Sequence, residues 1–206
     1  MKKRATWLVA TVVFFSTIGF ALQDRPEASA SLDPSFGSGG TVQTSFGVSV
    51  MPETAILQPD GKIVVVAGFD NTDIATEAFG LVRYLPDGQL DSNFGNRGSA
   101  VAAVTNFLNL PHSVALQPDG RILVAGETVS SSGSTDEFFV ARFDANGVLD
   151  PSFGSGGLAT ASFGGVRNAA FSMILQRDGR ILVSGIMVPG GRRNPSRTAM
   201  VRFDGN

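Results

Sequence analysis

Leu32-Asp33-Pro34-Ser35-Phe36-Gly37-Ser38-Gly39-Gly40 returns as Leu90-Asp91-Ser92-Asn93-Phe94-Gly95-Asn96-Arg97-Gly98 and again as Leu149-Asp150-Pro151-Ser152-Phe153-Gly154-Ser155-Gly156-Gly157. The copies start 58 and 59 residues apart. Two further landmarks keep the same phase. Gln58-Pro59-Asp60-Gly61-Lys62 is answered by Gln117-Pro118-Asp119-Gly120-Arg121 and Gln176-Arg177-Asp178-Gly179-Arg180. Val82-Arg83-Tyr84 is answered by Ala141-Arg142-Phe143 and Val201-Arg202-Phe203. Self-similarity at a fixed period of this length marks a solenoid, a propeller or another repeat array.

Within each unit the pattern reads as four short strands. Strand a is Thr54–Gln58, Ser113–Gln117 and Ser172–Gln176. The Asp-Gly turn after it closes a hairpin, with Gly supplying the positive φ. Strand b is Lys62–Gly68, Arg121–Gly126 and Arg180–Gly185. Its centre is apolar on both faces, as a strand sandwiched between two layers requires. Strand c is Phe79–Leu85, Phe138–Phe143 and Thr198–Phe203. Strand d is Thr41–Phe46, Ser99–Val104 and Leu158–Phe163. The chain is 43% apolar and 17% charged, with 25 Gly and 10 Pro, which suits an all-β protein rich in turns. Four antiparallel strands per repeat make one blade of a β-propeller, and each blade buries its faces against its neighbours.

The three landmarks, in order and three times over, closely resemble the delta-60 repeat family across residues 32–206. The resemblance implies an exported, propeller-like repeat protein and carries no catalytic residues to this chain. Ser92-Asn93, Arg177 and Asn96-Arg97-Gly98 depart from the pattern.

The organisation expected is a signal peptide over 1–21, a linker over 22–31, and three repeats over 32–89, 90–148 and 149–206. The repeats begin at strand d, and Asp204-Gly205-Asn206 falls in the turn after strand c. Three repeats are fewer than the usual four to eight blades. The expectation is a partial propeller, truncated at Asn206, or half of a dimeric ring in which strand d of one copy pairs with strand c of another. In either case a terminal apolar face is expected to be open, lined by Ile181, Val183, Met200 and Val201.

Candidate chemistry is sparse. His112 is the single His, placed just before strand a, in the slot that holds Glu53 and Phe171 in the other repeats. One His cannot build a multi-His metal centre. Ser113 beside it would point the opposite way along a strand, so no dyad follows. The recurrent Asp residues read as turn caps. Arg83, Arg142 and Arg202 are expected to pair with the hairpin Asp of their own repeats. Gly154-Ser155-Gly156-Gly157-Leu158-Ala159 fits a dinucleotide pattern, but no helix is expected after it. The b–c loops differ most and carry Asp70, Asp73, Arg192 and Arg193. With Glu53 and His112 these are the candidate ligand contacts on one end of the propeller. No catalytic residue, cofactor or metal ligand is assigned. The function expected is a non-enzymatic exported binding or surface-structural module for a protein or a carbohydrate. The alternative is a catalytic propeller, lactonase-like with a metal or sugar-oxidising.

Lys2-Lys3-Arg4 followed by the uncharged apolar run Trp7–Phe20 has the form of a secretory leader. Gly19-Phe20-Ala21 is the preferred cleavage site and Ala28-Ser29-Ala30 a second candidate. The apolar run is short for a span, which needs about 20 residues. Removing Lys2, Lys3 and Arg4 takes the formal charge from −2 to −5, which argues against a nucleic-acid partner. The absence of Cys excludes disulfides, thiolate metal sites and a lipoprotein anchor. The destination expected is secreted, periplasmic or cell-surface. Mass spectrometry of the exported protein should find a chain shortened to begin after Ala21 or Ala30. A mature chain that keeps Lys2–Arg4 would contradict the leader.

Overall fold

The alternation of apolar residues between Gly-rich turns produces strands. In the computed structural model, which describes residues 30–70, 78–102, 108–129, 136–190 and 194–205, with Asp70 and Leu108 as backbone only, no helix occurs among the described residues. The strands are β1 Ser49–Leu57, β2 Ile63–Asp70, β3 Ala78–Tyr84, β4 Ser99–Ala102, β5 Leu108–Leu116, β6 Ile122–Val129, β7 Glu137–Phe143, β8 Leu158–Ala161, β9 Arg167–Leu175, β10 Ile181–Val188 and β11 Arg197–Phe203. They form three antiparallel sheets, β1-β2-β3-β4, β5-β6-β7-β8 and β9-β10-β11. The short fourth strand of the first two sheets follows the next Leu-Asp-x-x-Phe-Gly turn, so each turn is the joint between consecutive sheets.

The hairpins close as the turn chemistry requires. Gly61, Gly120 and Gly179 sit at φ of 84°, 87° and 84°. Oδ1 of Asp60, Asp119 and Asp178 accepts the backbone N–H two residues on. Asp33, Asp91 and Asp150 cap their own turns in the same way.

The sheets stack face to face. Val64, Val66, Phe79 and Leu81 of the first pack against Ile122, Val124, Phe139 and Ala141 of the second. Phe79 and Phe139 stack with ring centroids 5.3 Å apart. The opposite face of the second sheet, Leu123, Ala125, Phe138 and Val140, packs against Ala170, Met173, Ile181 and Val183 of the third. β6 is therefore buried on both faces, which is why its sequence does not alternate, whereas the outer face of β2 is covered only in part, with Ala67 and Phe69 buried and Ile63 and Val65 half-buried.

Three expectations need correction. Ile181 and Val183 do not line an open face: both are fully buried against the second sheet, and Val201 packs on the same cluster. The open face of the third sheet carries their neighbours in the alternation, with Met200 60% and Ile174 59% exposed. Thr41–Phe46 is not a strand. It has no strand c beside it, and lies instead across the outer face of the first sheet. There Thr44 Oγ1 accepts the Tyr84 hydroxyl at 2.9 Å, and Phe46 meets Phe69 edge to face.

The third correction concerns the recurrent Arg. Arg83 Nε donates to Asp91 Oδ2 at 2.8 Å and Arg142 Nε to Asp150 Oδ2 at 2.9 Å. The partner is the Asp of the next joint, eight residues on, not the hairpin Asp. The hairpin Asp residues pair instead with the cation that follows the turn: Asp60 with Lys62, Asp119 with Arg121, Asp178 with Arg180. The guanidinium of Arg83 lies 4.4 Å from the Phe94 ring centroid, and that of Arg142 lies 4.7 Å from Phe153. Each Arg also reaches the following repeat, donating to Ala145 O at 2.7 Å or Gly205 O at 2.8 Å. One side chain thus ties together strand c, the next joint and the far turn.

Burial alone would raise the Asp91 carboxyl, but the Asn93 N–H and the Arg83 charge hold it below its ordinary 3.8. The Ser152 hydroxyl leads in lowering Asp150, against burial and with help from Arg142. Because these folded values are depressed, the stability they contribute is complete above about 3.8 and is lost as the pH falls through the folded values. Urea melts across that range should show the loss. Arg142→Ala should cost about 1–3 kcal/mol, because it removes a charge-assisted pair and the tie to Gly205 O while Arg121 stays beside the Asp150 carboxylate. Arg177→Ala, on an exposed turn, should stay within about 0.5 kcal/mol.

Candidate functional site

Each sheet's first strand carries one extra residue at the same place. Pro52 pairs with Ala67 and Thr54 with Val66, which leaves Glu53 unpaired. Pro111 pairs with Gly126 and Ser113 with Ala125, which leaves His112. Ala170 pairs with Gly185 and Ser172 with Ser184, which leaves Phe171. These are β-bulges, which re-aim a side chain out of the regular pleat. His112 is therefore inside β5 and not on the connection before it. Its ring lies 6.0 Å from that of Phe171, so bulged residues of neighbouring sheets meet. Ser113 Oγ accepts the backbone N–H of Met173 at 3.1 Å and stitches β5 to β9.

Beside these rings, at the far end of β6, Glu127 is 1% exposed on the side facing the third sheet. Oε1 accepts a long 3.4 Å contact from Arg167 Nη2 on β9, while Oε2 has no hydrogen-bond partner among the described residues. Burial pushes the Glu127 carboxyl above its ordinary 4.5, with Arg167 and His112 acting against it and Asp136 adding to it. Asn168, fully buried next to Arg167, donates through Nδ2 to Asp136 O at 2.7 Å and to Gly164 O at 3.2 Å. That fixes the start of β9 against the loop before β7. The result is a recessed acid with a half-exposed guanidinium at its rim.

The sequence candidates are distributed unevenly around this place. His112 belongs to it. Glu53 is exposed at the equivalent bulge of the first sheet and borders a small cavity of about 40 Å³ with Gly68 and Asn109. Asp70 ends β2, paired with Ser49. Asp73, Arg192 and Arg193 lie outside the described residues. Glu127, Arg167 and Asn168 were not singled out by the sequence reading. The available signal was that Glu127 holds a strand position occupied by Gly68 and Ile186 in the other repeats. Ending strand b at Gly126 hid it.

The opposite end is built from what all repeats share. A groove of about 850 Å³ is lined by Gln117, Asp119, Arg121, Arg142, Asp178 and Arg180. A second of about 610 Å³ is lined by Gln58, Asp60, Lys62, Arg83 and Gln117. Their charges are internally matched, with Lys62 also 3.6 Å from Asp91 and Arg121 3.2 Å from Asp150. Oε1 of Gln58, Gln117 and Gln176 recurs there as a buried acceptor without a hydrogen-bond partner among the described residues, a position suited to ordered water. Among the described residues no group of three or more His, Asp or Glu is placed to hold a metal ion. Leu158–Ala161 is a strand, so the Gly-rich run before it opens no helix.

Residues 58–94 and 117–153 match a family model described as a domain of unknown function (DUF5122) beta-propeller. The repeat is of beta-propeller type. Each matched segment runs from the hairpin Gln to the joint Phe, and so contains one whole Arg–Asp–Phe joint of the propeller-type repeat. No curated protein and no solved structure matches the chain.

Glu127→Gln should stabilise the protein by about 1 kcal/mol at pH 7, because it removes a buried charge. The sign follows from the raised carboxyl. Below the ordinary 4.5 both folded and unfolded states are protonated and the gain vanishes; it grows as the pH rises through the folded value. Thermal melts at pH 4 and pH 7 check it.

Proposed function

We propose that the protein is an exported, non-enzymatic binding module of the delta-60 type. Each sheet is one propeller blade, and the bulged end of the inner strands is the ligand face. The observation that carries this reading is Glu127. A buried carboxyl with an unpartnered oxygen lowers stability, and such groups cluster where a ligand supplies the missing hydrogen bond. The Phe171 ring, 49% exposed and 6.0 Å from the His112 ring, offers a flat apolar platform at the same end. A platform, a recessed acceptor and the Arg167 donor together suit a carbohydrate, with a hydroxyl donated to Glu127 Oε2.

The internal comparison supports the same choice of end. Residues common to the repeats form the paired network of the opposite end. The residues that differ, Glu53, His112 and Phe171 at the bulges and Gly68, Glu127 and Ile186 nearby, are where one site can be individualised on a repeated scaffold.

A glycan array followed by titration calorimetry tests the proposal. A bound sugar should lose about tenfold or more in affinity on Phe171→Ala and on Glu127→Gln. Binding indifferent to both substitutions, or no glycan bound at all, would contradict it. Turnover of the bound sugar would favour a catalytic propeller instead.

A further inference from the structure

Asn146 stands in the turn Ala145-Asn146-Gly147 and is the one Asn followed by Gly in the sequence. The first joint fastens to this turn. Arg83 Nη1 donates to Ala145 O at 2.7 Å, and Gly95 N donates to Asn146 O at 2.8 Å. Gly147 is buried at a φ of 86°, against the Phe94 ring. Asn146 itself is exposed, and its side-chain amide makes no hydrogen bond among the described residues. The matching turn of the first repeat differs: there Asp87 Oδ1 accepts the Gln89 N–H at 3.0 Å. In the second repeat Asp144 takes over the cap, with Oδ1 accepting the N–H groups of Asn146 and Val148 at 2.9 and 2.8 Å. The Asn146 amide is left free to turn toward the backbone.

We propose that Asn146 is a site of spontaneous deamidation, and that its isoaspartyl product unfastens the first joint. The co-reactants are water and hydroxide. The Gly147 nitrogen gives its proton to hydroxide and attacks Asn146 Cγ. The bond from Cγ to the amide nitrogen breaks, ammonia leaves with a proton taken from water, and a five-membered succinimide ring remains. Water opens the ring at either carbonyl. One opening gives aspartate in a normal peptide link; the other gives isoaspartate, with the chain running through the side-chain carbonyl. Gly after the Asn leaves the attacking nitrogen uncrowded, because it has no Cβ. A neutral amide is open to this attack, whereas an ionised carboxylate resists it. The Asp-Gly turns are protected on that count. They are protected also by the bonds that hold Asp60, Asp87, Asp119 and Asp178 to backbone N–H groups two residues on.

The folded turn restrains the reaction. Gly147 N donates to Asp144 O at 3.1 Å, and the ring closes only when that bond breaks and the turn rotates. Deamidation therefore runs through local opening of the joint, and its rate follows the open population. The two products differ in their effect. Aspartate keeps the backbone, and the first repeat already carries Asp87 at this place with the matching bond, Gly37 N to Asp87 O at 2.7 Å. Isoaspartate adds a methylene to the chain between Ala145 and Gly147. It takes the carbonyl that accepts Gly95 N out of the main chain and shifts Gly147 from its seat against Phe94.

Peptide mapping by mass spectrometry, on the purified folded chain aged at mildly alkaline pH, reads the outcome. The peptide holding Asn146 should gain the mass of an amide converted to an acid, split between aspartate and isoaspartate. Arg83→Ala, which loosens the joint, should speed that gain by about tenfold. Asn146→Asp should melt near the wild-type midpoint, while the isoaspartyl fraction, separated by chromatography, should melt below it. The site would be overturned if neither folded chain converts in a time that fully converts the urea-unfolded chain. A rate that Arg83→Ala leaves unchanged would overturn the control by the joint. An isoaspartyl fraction as stable as the wild type would overturn the effect of the product.

Discussion

An arginine that leaves its own sheet holds this molecule in register. Hydrophobic stacking between sheets is strong but non-directional, and it does not by itself fix how one sheet is rotated over the next. The Arg83–Asp91 and Arg142–Asp150 pairs supply direction. Each guanidinium is clamped between a carboxylate, an aromatic face and a backbone carbonyl of the following repeat. All three contacts must be made together for the buried charges to be satisfied. The tight packing at the joint follows. A side chain on Gly147 would collide with the Phe94 ring, so only Gly allows the aromatic to sit on the far turn.

The joint also explains the division of labour between the two ends. At the hairpin end, cations and carboxylates recur with the repeat and neutralise one another. At the bulged end, the same backbone irregularity presents an acid, an imidazole or a phenyl ring, depending on the sheet. A bulge is indifferent to the side chain it carries, because the extra residue is outside the ladder. That freedom lets one scaffold hold a polar cluster around Glu127 at one interface and a small cavity beside Gly68 at the other.

Much of the architecture was legible in the residues. The turn glycines, the self-capping Asp residues and the doubly buried middle strand of the second sheet follow from local chemistry and from period, whereas β2 and β10 each keep one face partly open. What the sequence concealed shares one physical cause. A bulge advances the two-residue alternation by one position, so the first strands read as starting at Thr54, Ser113 and Ser172, when they begin at Ser49, Leu108 and Arg167. His112 consequently read as a loop residue. The Arg partners were misplaced because sequence spacing cannot tell a turn in the same repeat from a joint eight residues on. Glu127 was missed because its burial is created by β9, a strand forty residues away in the chain. Thr41–Phe46 has the pattern of a strand, but a strand requires a neighbour, and pattern alone does not provide one.

The most direct test of the central claim is a double-mutant cycle on Arg83 and Asp91, with unfolding free energies measured for Arg83→Ala, Asp91→Ala and the pair. A joint that acts as a unit predicts that the double variant loses less than the two single losses added together, by about 1.5–3 kcal/mol. Additive losses would show that the pair is incidental and that apolar stacking alone sets the register of the sheets.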